Sequence, residues 1–313
     1  MSHPARPNAA AYVAKKLREL DAALVKTVPR VVEHEDDDDA IHDMRVAIRR
    51  IRTLLKMSRR LFGRWHTDCV RRAFADVMRA TGDLRDEEVL EETLEDASDH
   101  PSFSPWLAQR KTREAKLRHA VVTRIQQGDL DRARVMMKAL LVFPVDPDRD
   151  LELARFARRT VERARRRVED KRDVEVTDVL GLHELRIAYK ELRYSIELLS
   201  DALPIDARAM LEPATVFQKR LGEIHDVDVA IETIQHARGL AAEARTQALD
   251  ALDAMRHKRI GKYLRELDPL GIPPQGAHPH GDGHANGTPE RSGREADATE
   301  AEKNKGKDEV EGR

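Results

Sequence analysis

A basic helical segment occurs twice in this chain, and that duplication constrains the fold more than any other feature. IHDMRVAIRRIRTLLKM occupies residues 41–57 and LHELRIAYKELRYSIEL residues 182–198, aligned without a gap at an offset of 141. The alignment sets His42 on His183, Arg45 on Arg186, Arg49 on Lys190 and Arg52 on Arg193. A repeat maintained for packing alone reproduces its leucines. This one also reproduces its cations, which points to one anion site assembled from two halves.

Ile41, Met44, Ile48, Ile51 and Leu55 recur at the three-and-four spacing of a buried helix face. His42, Arg45, Arg49, Arg52 and Lys56 follow the same spacing one residue later. With about 100° per residue, the basic stripe flanks the apolar stripe and is about 21 Å long. In the second copy Leu182, Leu185, Tyr189, Leu192 and Ile196 form the apolar face, beside His183, Arg186, Lys190 and Arg193. A stripe beside the buried face lies where a groove wall stands; a stripe opposite it would face open water. Asp43 is the one acid within 42–56, so the cations of the first copy cannot be neutralised on their own helix.

Each basic helix is followed by a second repeat. GDLRDEEVLEETL begins at Gly82 and GEIHDVDVAIETI at Gly222, at an offset of 140, with Asp86/Asp226, Val89/Val229, Glu92/Glu232 and Thr93/Thr233 in common. Glycine, a short acidic stretch and a new apolar run predict a helix end, a turn and a helix start, with Asp86 and Asp226 as N-terminal residues of the new helices. Arg79, Lys219 and Arg220 lie just upstream and extend the candidate basic surface.

The paired H-x-x-R-x-x-x-R/K-x-x-R helices, each with its G-[DE]-x-x-D turn, resemble the CHAD family, the conserved histidine α-helical domain. The resemblance spans about residues 8–268. It implies an all-α fold of two helical bundles related by a pseudo-two-fold axis around a central basic channel. It also implies that inorganic polyphosphate is the ligand and that polyphosphate or polyester storage granules are possible sites of association. A triphosphate-hydrolysing CYTH barrel, fused to some members, has no strand-rich counterpart here. Two positions depart from the basic pattern: Glu191 stands where the first copy has Arg50, and Glu197 where it has Lys56.

Composition agrees with a helix-rich, amphipathic chain: 36% charged and 4% aromatic residues over 313 positions. The net charge of −1 is compatible with a polyanion ligand only if positive charge is focused locally. EDDDD at 35–39, the stretch 85–96 and the tail hold much of the acid, and Asp39 is expected to cap the helix starting near Ala40. No apolar run reaches the roughly 18–20 residues of a membrane span. The N-terminus has no apolar h-region, and Cys69 is the single cysteine, so the expected location is cytoplasmic.

Polyphosphate has no bases to stack, so a site of Arg, Lys and His without aromatic platforms suits it better than RNA or DNA. The expected activity is binding without turnover, with no cofactor and no metal. Two readings compete. One is a metal-dependent phosphohydrolase using the His42-Asp43 and His225-Asp226 doublets, although the repeat replaces His225 by Arg85 in the sister copy. The other is a nucleic-acid-binding module. The basic run 155–167 contains Glu162 and is read as a solvated face.

The punctuation predicts helices at about 8–28, 40–61, 66–81, 86–97, 105–127 and 129–141 in a first half ending near 143. Pro144 and Pro147 mark a hinge. The second half, about 148–268, has helices at 148–170, 178–201, 206–222, 226–237 and 240–267. From about 273 to 313 the Pro/Gly/His-rich and then highly charged composition predicts a disordered tail, with His278, His280 and His284 as weak metal candidates. Lys15, Lys16 and Arg18 on the first helix face either the channel or water.

Overall fold

The computed structural model describes residues 8–33, 37–95, 103–142 and 151–266. The expected hinge at Pro144 and Pro147, the tail at 273–313 and its histidines lie outside the described residues. Within them the fold is all-α. The first half contains α1 (Ala9–Glu33), α2 (Asp38–Met57), α3 (Arg64–Ala80), α4 (Gly82–Glu95), α5 (Phe103–Gln126) and α6 (Asp129–Val142). The second contains α7 (Leu153–Glu169), α8 (Val179–Leu199), α9 (Ile205–Ala209), α10 (Leu211–Gln235) and α11 (Ala242–Arg265).

The two basic segments fold as α2 and α8, and their starts are built alike. Asp37 and Asp178 cap them from nearly identical backbone conformations (φ −82°, ψ 90° and φ −83°, ψ 90°). Each carboxylate accepts a hydrogen bond at 2.9 Å, from the Ala40 and Gly181 N–H respectively. The cap of α2 is therefore Asp37, not Asp39: helical geometry already begins at Asp38. Gly181 has a steric reason to be glycine, because a Cβ there would sit 2.2 Å from Val174 Cγ2 and 2.5 Å from the capping Asp178 Oδ2.

The periodicity reading of the buried faces is matched. Ile41, Met44, Ile48, Ile51 and Leu55 are 0–3% exposed, as are Leu182, Leu185, Tyr189, Leu192 and Ile196. Each fully buried side chain of this size contributes about 1.5–3 kcal/mol of transfer free energy. α2 packs on α1 and α3; α8 packs on α7 and α10. α1 continues past Pro29 to Glu33. The hydrogen bond proline removes belongs to the carbonyl of Val25, an exposed residue.

The second repeat requires a correction. In the first half α3 stops at Ala80, Thr81 is a non-helical cap and α4 starts at Gly82. In the second half no break exists, and α10 runs through Gly222. Asp86 therefore lies in the second turn of α4 and Asp226 in the interior of α10; neither is a capping residue. Thr81 explains the difference. Its hydroxyl bonds Met78 O at 3.0 Å, and its own oxygens accept the Arg45 guanidinium. The matching residue, Leu221, offers no polar side chain, is 2% exposed and leaves the helical ladder intact.

Two apolar clusters hold the described residues together, and both draw on both halves. The larger takes side chains from α1–α8, α10 and α11. The smaller joins Leu90 and Leu94 of α4 and Trp106 of α5 to Val227 and Ile234 of α10 and Leu252 of α11. α1 touches both halves as well. The Ala9 N–H donates to Leu151 O at 2.9 Å, and Tyr12 Oη to Leu198 O at 3.1 Å. Lys16 pairs with Asp201 at 3.2 Å, Lys15 reaches toward Glu19 at 3.9 Å, and Arg18 is exposed.

A candidate anion-binding site

α2 and α8 lie against each other, and the two departures from the basic pattern explain how they can. Lys56 Nζ donates to Glu191 Oε2 at 2.8 Å, and Arg50 donates to Glu197. Arg50 aligns with Glu191 and Lys56 with Glu197, so these are one contact seen from its two sides. Two wholly basic stripes would repel at this crossing. The acids of the second copy neutralise the cations of the first where the helices meet. Arg167 of α7 also donates to Glu191. Burial by itself would raise the Glu191 carboxyl, but Lys56 and Arg167 hold it below its ordinary value.

Toward the N-terminal side of this crossing the remaining cations converge. Burial first, then Arg49, Arg186, Arg45 and Arg52, push the Lys190 ammonium down to about 7. Burial and Arg49 push Arg45 down to about 10. Arg186 is lowered by burial and by Arg49, against the opposing pull of Asp226. Five cations from the two repeated helices thus form one electrostatic neighbourhood. Asp86 and Asp226, the shared acids of the second repeat, act on Arg45 and Arg186 respectively, and burial raises both carboxyls. Arg186 Nε lies beside Gly222, 3.6 Å from where a Cβ would stand.

Two histidines edge the cluster. The Nδ1 atoms of His183 and His225 are 3.4 Å apart and their ring centroids 4.5 Å apart. Burial, Arg186, His183 and Lys190 push His225 down to about 4, and burial and Arg186 lower His183. Burial and the neighbouring cations thus favour the neutral form of both rings. His42, the counterpart of His183, is exposed on α2.

The other sequence-derived residues have distinct surroundings. Arg193 donates to Gln218 Oε1 at 3.1 Å, approaches Glu197 at 3.8 Å and lies over the Tyr194 ring. Arg220 is taken up by Glu266, at 2.7 Å, and by Glu223, so its charge is answered within the protein. Arg79 is exposed and paired with Asp76, and Lys219 is exposed. Of the run 155–167, Arg165 and Arg166 pair with Glu162, which they hold down at about 2. Arg167 is the exception, joined to the helix crossing through Glu191.

Sequence reasoning does not assign His225, Arg71 or Tyr194 to the site. Arg71 of α3 acts electrostatically on Arg52, and Tyr194 Oη accepts from Arg49 at 3.4 Å. None of these is reproduced as a matching residue by the repeat. The histidine–aspartate doublets do not converge as metal ligands: Asp43 pairs with Arg30 at 2.9 Å, and His225 is surrounded by cations that would repel a metal ion. Among the described residues no group of three His, Cys, Asp or Glu side chains is placed to hold a metal. A groove of about 890 Å³ lies elsewhere, between α3, α5 and α6. Its lining alternates cations (Arg72, Arg79, Arg124, Arg132) with Asp76, Asp83 and Asp129, so its charge is nearly balanced.

Among the described residues the chain is all-α, with a cation cluster between its two repeated basic helices. The CHAD domain model matches residues 15–235, well over half of the chain, and the chain belongs to the CHAD domain family. Solved structures share the fold. The crystal structure of the CHAD domain from the plant Ricinus communis has a TM-score of 0.60 at 20% identity, over 86% of this chain and 91% of that one. PptA from Streptomyces chartreusis has a TM-score of 0.62 at 15% identity, over 83% and 99%. No curated protein matches the chain. No helix among the described residues is long and apolar enough to cross a membrane.

Proposed function

We propose that this protein binds inorganic polyphosphate without turning it over, holding the chain in a channel between α2 and α8. The observation that carries this reading is the convergence of Arg45, Arg49, Arg52, Arg186 and Lys190. Burial and then four arginines push a lysine down to about 7. Such crowding of like charges is costly and is relieved by a polyanion. Arg offers two-pronged donation to phosphate oxygens, and Lys acts as a mobile point charge. The reciprocal Arg50–Glu197 and Lys56–Glu191 pairs support a pseudo-two-fold relation between the halves. Location in the cytoplasm and association with polyphosphate or polyester granules are part of the same proposal, drawn from the family resemblance.

Nucleic acid fits less well. The two tyrosines of the basic helices, Tyr189 and Tyr194, are 2% and 4% exposed, so neither ring offers a face on which a base stacks. Titration of long polyphosphate at several salt concentrations tests the proposal. Six to ten neutralised phosphates predict a loss of about 10³- to 10⁵-fold between 50 and 200 mM salt, by analogy with duplex DNA. A flat salt response, tighter binding of single-stranded RNA in competition, or steady phosphate release with Mg²⁺ or Mn²⁺ would overturn it.

A further inference from the structure

The repeated stripes are least alike at Arg52 and its counterpart Arg193. Arg193 is occupied by Gln218, Glu197 and the Tyr194 ring. Arg52 Nε is buried with no hydrogen-bond partner, and the charges acting on Arg52 are Arg71, Arg79 and Arg49, all cations. Arg71 and Arg79 both lie on α3 and act on Arg52, but Arg79 is exposed and answered by Asp76, which leaves Arg71 as the partner of Arg52 in the row. The second half lacks this arrangement. Offsets of 140 and 141 place Leu211 or Glu212 opposite Arg71, and Lys219 or Arg220 opposite Arg79. Arg220 is already bound by Glu266.

We infer that a polyanion leaving the α2–α8 junction runs over the first half only, along the seam between α2 and α3, where Arg52 and Arg71 hold it. Arg71 is on this account a binding residue, although no repeat marks it. Its bond to Asp68 at 2.8 Å orients the guanidinium without cancelling the row, since Arg59 shares the same carboxylate. The site is thus one-sided in charge despite its duplicated helices, and a long chain gains contacts that a short one cannot reach. The inference rests on the polyphosphate reading above.

The test compares R52Q, R71Q and R193Q in the full chain, titrated with long-chain polyphosphate and with tripolyphosphate. Losing one charged contact costs about tenfold in affinity, and the slope of log K against log salt falls by about 0.7 per contact, the single-strand value. R52Q and R71Q are expected to show both changes with the long chain, to lose less with tripolyphosphate, and each to lose more than R193Q. R71K, which keeps the charge, restores most of the binding lost in R71Q, and thermal unfolding of each variant separates lost contacts from lost folding. Wild-type-like binding by folded R71Q, or an R193Q loss equal to that of R52Q, overturns the one-sided track alone. Failure of the wild-type protein to bind long polyphosphate overturns the polyphosphate reading and the track with it.

Discussion

Lys190 shows most clearly how burial and neighbouring cations act on one residue of the cluster. Its ammonium titrates near 7 in the folded chain against an ordinary value of 10.5, so between those values the unfolded chain binds more protons and stability rises with pH. His225, at about 4 against 6.5, contributes in the same sense at lower pH. Lys190→Met should therefore raise the urea midpoint of the unliganded protein at pH 6, with a smaller gain near pH 9, where the lysine is already neutral. The same substitution should weaken polyphosphate binding. In the wild-type protein, affinity should fall as pH rises through about 7, and calorimetry in buffers of different ionisation enthalpy should register proton uptake on binding. A pH-independent affinity with no proton uptake would mean that Lys190 does not meet the ligand.

The helices acquire their ends and their register from a few polar side chains. Gly181 is tight against both Val174 and the Asp178 cap. Gly181→Ala should destabilise the fold by about 1–3 kcal/mol, the usual cost of overpacking, measured by chemical denaturation. Its first-half counterpart is Ala40, which carries a Cβ at 0% exposure, so the same cap admits alanine in a different local packing. At the α2–α8 crossing, Arg50→Glu and Glu197→Arg should each destabilise and the double swap should restore much of the loss. The Arg50 and Glu197 side chains are 35% and 27% exposed, so the coupling energy in a double-mutant cycle should be about 1 kcal/mol or less.

Across the whole molecule, the sequence halves are not independent units of stability. The smaller core is made from α4, α5, α10 and α11, and α1 bonds to residues of the second half. A chain divided within 143–150 should give fragments that separately lack cooperative unfolding and recover it on mixing, as followed by circular dichroism during denaturation. Cooperative unfolding of either fragment alone would show that one half can complete its own core. Polyphosphate should raise the melting temperature of the intact chain by mass action, and less so at high salt, because it binds the assembled cluster and not its separated halves.

Periodicity is a property of neighbouring residues, and whatever depends on it is legible in the chain. The all-α class, both buried faces and the two flanking basic stripes follow from spacings of three and four. The duplicated cations point to a shared anion site for the same reason. Contacts between distant residues are not legible in this way. Glu191 and Lys56 are 135 positions apart, and their pairing depends on how α2 and α8 cross. Read alone, the two glutamates look like losses from the second stripe; across the crossing they are the counter-charges that let the stripes approach. The continuity of α10 hangs on Leu221 standing where the first half has Thr81, with Arg45 arriving from another helix to engage the threonine's oxygens. Arg71 joins the cluster because α3 lies along α2, and Arg220 is removed from it because Glu266 lies within reach. Helical period sets which face of each element is buried. The rotation and crossing of packed helices decide which charges meet, and in this cluster they separate the cations answered by a carboxylate from those that face other cations.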